Sequence, residues 1–162
     1  MPRVIYFMKT KFLLFVFFVV IAPAVAQNSA ETDEQLIKDL VVNSFQDIFS
    51  DNRSEMLQEY YTPDFLLLER GEVWDIEIIK GYMDRAAEMN NIPERINSFN
   101  FLAVKISGDM AWTAYKNKAI FKVGDEVMGE VNWLESATAI KTTKGWRLQM
   151  LHSTEVKPEN EE

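Results

Sequence analysis

Four long segments rich in aromatic and β-branched residues follow one another almost without interruption: Ile96 to Ile106, Met110 to Val123, Val127 to Lys141 and Trp146 to Val156. Short turns at Ser107-Gly108-Asp109, Gly124-Asp125 and Lys144-Gly145 join them. Connections this short suit hairpins, because a parallel partner would need a crossover of a dozen residues or more. The second half of the domain is therefore expected to be an antiparallel meander. Its last segment, Lys144-Gly145-Trp146-Arg147-Leu148-Gln149-Met150-Leu151-His152-Ser153, carries the only histidine of the chain.

The segments before the meander read as helices and one short hairpin. Thr32-Asp33-Glu34-Gln35 has the form of a capping box, and Leu36, Ile37, Leu40, Val41, Phe45, Ile48 and Phe49 recur at helical spacing, which predicts a helix to about Ser50. Asn52 is expected to cap a short second helix through Met56, Leu57, Tyr60 and Tyr61, and Pro63 to turn the chain. Phe65 to Glu69 and Glu72 to Trp74 predict a hairpin around Arg70-Gly71, after which Asp75 caps a third helix from Ile76 to about Met89. Helices followed by a meander define an α+β fold.

The closing Gly145-Trp146-Arg147-Leu148 strand, the Tyr60-Tyr61-Thr62-Pro63-Asp64-Phe65 segment and the long strands with short glycine turns together resemble the nuclear transport factor 2-like superfamily, in particular its SnoaL-like branch. The resemblance covers roughly residues 32 to 156. It implies a cone-shaped roll, a curved and mostly antiparallel sheet packed on three N-terminal helices in the cystatin-like manner. Members include isomerases, dehydratases, binding modules and oligomerisation hubs, so the fold implies no single activity.

Arg3, Lys9 and Lys11 precede an apolar run from Phe12 to Ala22, and Ala24-Val25-Ala26 supplies the small-x-small pattern of a signal-peptidase site. Residues 1–26 are expected to be a cleaved signal, 27–31 a disordered linker, 32–156 one domain and 157–162 an acidic tail. About 15 residues from Phe12 to Ala26 fall short of the roughly 20 a spanning helix needs. The product is then exported to the periplasm or beyond, with no membrane association after cleavage. Losing three basic residues deepens the net charge of −8, which disfavours nucleic acid, since phosphate contacts demand clustered Lys and Arg. No cysteine means no disulfide, no lipid-bearing thiol and no thiol redox chemistry.

Motifs for phosphate loops, paired-histidine or cysteine metal sites and nucleophile elbows are absent from the sequence, so no metal and no cofactor is expected. Candidate site residues come from strand alternation. Trp146, Leu148, Met150 and His152 share the more apolar face of their strand, which predicts His152 inward, where an imidazole titrating near neutrality suits a general base. Lys116 and Lys118 oppose Tyr115 and Asn117, which predicts the latter pair inward. Trp74 is expected at the mouth of the cavity, and Trp112, on the lysine face, at an interface. Phe99 and Phe101 opposed to Leu102 and Val104 suggest a sheet covered on both sides, by helices on one and, as the resemblance implies, by a second copy on the other, giving a homodimer.

Laid along the ketosteroid isomerase branch, the resemblance puts Glu69 where those enzymes keep their proton-abstracting acid. It puts Phe45 where they carry the tyrosine hydroxyl that stabilises the enolate. Losing such a donor costs roughly 3 kcal/mol of transition-state stabilisation, unless Tyr115 or His152 replaces it. Three readings follow. The first is a secreted binding domain whose conical pocket, lined by Trp74, Tyr115, Asn117 and His152, takes a small apolar or amphipathic molecule. The alternatives are a cofactor-free isomerase or lyase using Glu69 or His152 as general base, and an interaction domain without ligand.

Overall fold

The structure, a computed structural model, describes residues 24–89 and 91–157, with side chains from residue 33 onward. The expected signal segment lies outside the described residues except for its last three positions, and the acidic tail except for Lys157. Helix α1 (Ala24–Ser44) widens into a π-helical turn (Phe45–Ser50), and a 3-10 turn (Ser54–Met56) leads into the short α2 (Leu57–Tyr60). Strands β1 (Tyr61–Glu69) and β2 (Glu72–Trp74) precede α3 (Ile76–Ala87), and β3 (Glu94–Ser107), β4 (Met110–Val123), β5 (Glu126–Thr142) and β6 (Gly145–Val156) form the meander. The fold is α+β, as expected: three helices packed against a six-stranded curled sheet in the order β2-β1-β6-β5-β4-β3. Among the described residues, only the β1–β6 pairing is parallel. No helix among the described residues is long and apolar enough to cross a membrane.

The helix starts at Ala24, ahead of the Thr32 box, and takes in residues 27–31 that composition set apart as a linker. Its buried stripe, Ile37, Leu40, Val41, Phe45 and Ile48, packs on the concave side of the sheet with Leu57, Phe65, Ile79, Met83 and Leu148. Each such side chain contributes about 1.5–3 kcal/mol on burial. Asp33 fastens this helix to the β5–β6 turn, with Lys141 Nζ 2.9 Å from its Oδ2 and Trp146 Nε1 3.1 Å from its Oδ1. Asp75 caps α3, its Oδ1 accepting from the Ile78 amide at 2.9 Å.

Asn52 does not cap a helix. It takes a positive φ of 54° between the π turn and the 3-10 turn, which bends the chain back there. Pro63 does not end a segment either. It lies inside β1, where the strand bows out of the ladder between the Tyr61–Leu148 and Leu66–Met150 pairs, so the missing proline amide breaks no pairing.

Two further irregularities decide which residues face inward. In β6, Met150 pairs with Thr138 and Leu148 with Ala139, leaving Gln149 as an extra residue. Its side chain donates to Asp64 Oδ2 at 3.2 Å, so the bulge of β6 and the bow of β1 are fastened together. In β3, Phe101 pairs with Tyr115 and Ala103 with Ala114, leaving Leu102 extra and exposed. A bulge shifts the alternation by one, so Phe99, Phe101, Val104 and Ile106 all pack against the core. The expected opposition of Phe101 to Val104 is thereby corrected.

Candidate functional site

The concave face is organised in rows that run across the strands. Glu69 of β1 lies beside Ser153 of β6, Ser153 beside Glu135 of β5, Glu135 beside Tyr115 of β4 and Tyr115 beside Phe101 of β3. The neighbouring row pairs Trp133 with Asn117 and Asn117 with Phe99. Strand alternation puts Trp133, Glu135, Ala137 and Ala139 on the inner side of β5, all buried. An acidic residue therefore sits in an otherwise apolar series, under the helices.

Above these rows lies an inner chamber of about 40 Å³, room for roughly two or three water-sized groups. Its apolar wall is Phe45, Phe49, Phe65, Leu67 and Leu151, and its polar wall is Tyr61, Glu69, Arg95, Trp133, Glu135 and Ser153. The π-helical turn contributes Phe45 and Phe49, ring centroids 5.3 Å apart, and Tyr61 stacks on Phe65 at 3.8 Å. Phe49, Glu69, Arg95 and Trp133 also line an outer vestibule of about 710 Å³, whose far walls include Trp74, Tyr82, Met89, Ile92 and Phe121. The two spaces meet at these four residues, which form a neck.

Polar groups in and beneath the chamber lack partners to an unusual degree. Among the described residues, Tyr61 Oη, Tyr115 Oη, both ends of the Asn117 amide, Trp133 Nε1 and Glu135 Oε2 are buried without a hydrogen bond. None of these side chains belongs to a residue more than 8% exposed. Tyr61 approaches Ser44, whose hydroxyl donates to the Val41 carbonyl at 2.8 Å, without closing a bond of normal geometry. Asn117 stands to Glu135 in the same way. A buried polar group left unpaired costs about 1–3 kcal/mol, so a cluster of them marks a place that a polar ligand or ordered water completes.

Electrostatics single out Glu135. Burial pushes its carboxyl from the ordinary 4.5 to about 7, against the lowering effect of the Ser153 hydroxyl, which donates to Oε1 at 3.0 Å, and of Asn117 and Arg95. Burial also raises the Tyr61 and Tyr115 phenols, Glu135 adding to both, so both stay protonated as donors. Glu69, at the neck, is raised by desolvation against the pull of Arg70 and Arg95. The chamber thus joins one carboxyl that exchanges a proton near neutrality to several fixed N–H and O–H donors, an arrangement suited to moving a proton on a bound molecule while stabilising its oxygen.

The residues expected from sequence fall into three groups. Tyr115 and Asn117 are inward and flank Glu135 from β4. Glu69 and Trp74 reach the neck and the vestibule respectively, and Trp74 donates to Glu72 Oε2 at 2.8 Å with its ring against Tyr82. His152 is not in the site. The Gln149 bulge turns it to the outer face, where it is exposed in a shallow groove beside Leu68 and Val73, while Leu151 and Ser153 take the inward positions. Sequence reasoning missed Glu135, Tyr61, Trp133, Ser153 and Arg95. For Glu135 the only signal was its place in the series Trp133, Glu135, Ala137 and Ala139, which the apolar Leu134 and Ile140 of the opposite face left undecided.

No protein-family model matches the chain, and no curated protein is significantly similar to it in sequence. Solved structures do match. A nuclear transport factor 2-like protein with a cystatin-like fold from Novosphingobium aromaticivorans superposes with a TM-score of 0.71 at 15% identity, over 89% of this chain and 95% of that one. A nuclear transport factor 2-like superfamily protein from Salmonella enterica gives 0.64 at 13% identity, over 82% and 96%. A ketosteroid isomerase-like protein from Erwinia carotovora gives 0.58 at 15% identity, over 78% and 98%. The chain has the nuclear transport factor 2-like fold.

Proposed function

We propose that the chain is an exported small-molecule-binding domain that acts as a cofactor-free isomerase or lyase, with Glu135 giving and taking the proton. The observation that carries this reading is the set of unpartnered buried polar atoms on Tyr61, Trp133 and Glu135, which line one chamber, with those of Tyr115 and Asn117 beside Glu135 and Trp133 in the sheet beneath it. A ligand head presenting an oxygen to the Tyr61 phenol and the Trp133 indole, and an acidic C–H or an O–H to Glu135, satisfies donors and acceptor together. Its apolar body lies in the vestibule among Trp74, Tyr82 and Phe121. The ketosteroid isomerase-like neighbour is consistent with proton-transfer chemistry on this fold. Glu69, the base that the resemblance implies, sits at the neck and not at the closed end, so Glu135 is the better-placed acid.

Export rests on the charged and apolar leader ending at Ala24-Val25-Ala26, and the closing Gly145-Trp146-Arg147-Leu148 strand supports the SnoaL-like branch. A homodimer through the outer sheet face is part of the same proposal, since Leu66, Leu102, Trp112 and Leu134 are exposed there. Binding without turnover is the second reading, favoured by Phe45, an apolar wall of the chamber where isomerases of this fold are expected to carry a hydroxyl.

The test is native mass spectrometry of residues 27–162 recovered from the producing cell's envelope or medium, followed by incubation of any released molecule with the protein in deuterated water. Deuterium incorporation that wild type catalyses and Glu135→Gln does not, with binding kept in both, supports proton transfer. Binding with equal, uncatalysed exchange in both leaves the binding reading alone. No retained mass and no exchange rejects both.

A further inference from the structure

Arg95 stands at the neck, half-buried, lining both chamber and vestibule, and among the described residues it has no ion-pair partner. Its Cζ lies 5.6 Å from the Phe45 ring centroid, 5.5 Å from Phe49, 5.9 Å from Phe121 and 5.2 Å from Trp133, so aromatic faces hold the guanidinium in place. Nε donates to Asn97 Oδ1 at 3.1 Å, and Asn97 in turn donates to Ser50 Oγ at 2.9 Å, which fixes the direction of the fork. Among the described residues, neither Nη group makes a hydrogen bond, and no carboxylate lies within 4 Å of the guanidinium. Arg70, which lines the same vestibule, differs in bonding Glu155 Oε2 at 2.6 Å. Glu69 and Glu135 are close enough to favour the Arg95 charge but do not reach it.

From this we infer that the molecule handled by the cone is an anion, with a carboxylate or similar planar oxyanion that takes the two Nη groups of Arg95 while its apolar body lies in the vestibule. A half-buried arginine held by ring faces keeps its N–H edge available, and that edge matches a carboxylate in the bidentate manner. The anion then sits at the junction of chamber and vestibule, leaving the closed end to the reacting part of the molecule. The inference rests on the chamber reading above and specifies the charge class of its ligand. It also makes Arg95 the residue that discriminates acids from their neutral analogues.

The experiment compares naphthaleneacetate with naphthaleneacetamide, two flat probes of nearly equal size that differ in charge, by calorimetric titration of the chain from residue 27. The acid is expected to bind roughly tenfold or more tightly than the amide. In Arg95→Met the acid should lose its advantage, so that the two affinities converge. Arg95→Lys, which keeps the charge but loses the fork, should retain part of the preference and guards against a Met variant that fails to fold. Equal affinities in wild type, or a preference that survives in Arg95→Met, overturns the inference while leaving the chamber intact. Binding of neither probe also overturns it, and the titration of Glu135, read separately, then judges the chamber.

Discussion

Glu135 and Tyr115 face each other directly across the β4–β5 ladder, both buried, with the Glu135 Oε2 and the Tyr115 hydroxyl each lacking a hydrogen-bond partner among the described residues. A carboxyl and a phenol so placed are a potential acceptor and donor at the floor of the chamber that Glu135 lines. Burial raises the pKa of both.

The sign of that shift gives a pH dependence. With its carboxyl at about 7 in the fold and near 4.5 unfolded, Glu135 binds more protons in the native state between those values. Stability should therefore fall as pH rises from about 4.5 to 7 and level off above, by up to roughly 3 kcal/mol. Glu135→Gln should remove most of this slope and be the more stable protein at pH 8. Urea denaturation at pH 5 and pH 8 checks it, and a slope unchanged in the variant contradicts the assignment.

Removing an unpartnered hydroxyl should help the free protein and harm its function. Tyr115→Phe is expected to leave stability unchanged or raise it by about 1 kcal/mol, because the buried oxygen has nothing to lose. Turnover should drop about tenfold, because the hydroxyl that faces Glu135 across the ladder is lost. Thermal denaturation measured alongside activity separates these effects, and a destabilised variant would mean the hydroxyl is bonded in solution.

His152→Ala should be silent. The side chain is exposed on the outer face, so stability should change by no more than about 0.5 kcal/mol, with ligand affinity and turnover at wild-type values. A loss of turnover would restore the histidine to the site and refute the face assignment.

Asp33 is held below the ordinary carboxylate range by hydrogen bonds from Lys141 and Trp146. The stability it contributes is present above that range and is lost as pH falls through the lowered value. Asp33→Asn should cost about 1 kcal/mol at pH 7. The deficit relative to wild type should vanish in acid, which guanidine denaturation across pH can follow.

Trp112→Glu tests self-association through the outer face, where the indole is exposed beside Lys105. Sedimentation equilibrium should give a dimer for wild type and a monomer for the variant. A monomeric wild type would reject the partner proposal and leave the cone reading standing.

Local chemistry made most of the elements legible, because helical spacing, the Asp75 cap and the glycine turns are short-range signals. Inward alternation was legible in β4, a regular strand between its neighbours over the stretch that carries Tyr115 and Asn117. It failed in β6 because the Gln149 bulge adds one residue, and nothing between Leu148 and His152 marks that extra position apart from its bond to Asp64, distant in sequence. The same difficulty hid Leu102. Glu135 was hidden by its neighbours, since a strand with large apolar residues on both sides gives little reason to choose a face. Arg95 lies at a strand start where a solvated charge is ordinary, and only four rings from three separate segments reveal it as enclosed.

The extra residue at Leu102 has a consequence for solubility. Strand β3 is 14 residues long and pairs on one side only, so its other side offers a row of amides and carbonyls to any passing chain. The bulge breaks that row near its middle and twists the strand, while the opposite end of the sheet is guarded by the brevity of β2, only 3 residues. Both ends of the sheet are thus poor templates for edge-to-edge stacking, which lets an acidic domain without cysteines stay apart from its own copies at high concentration.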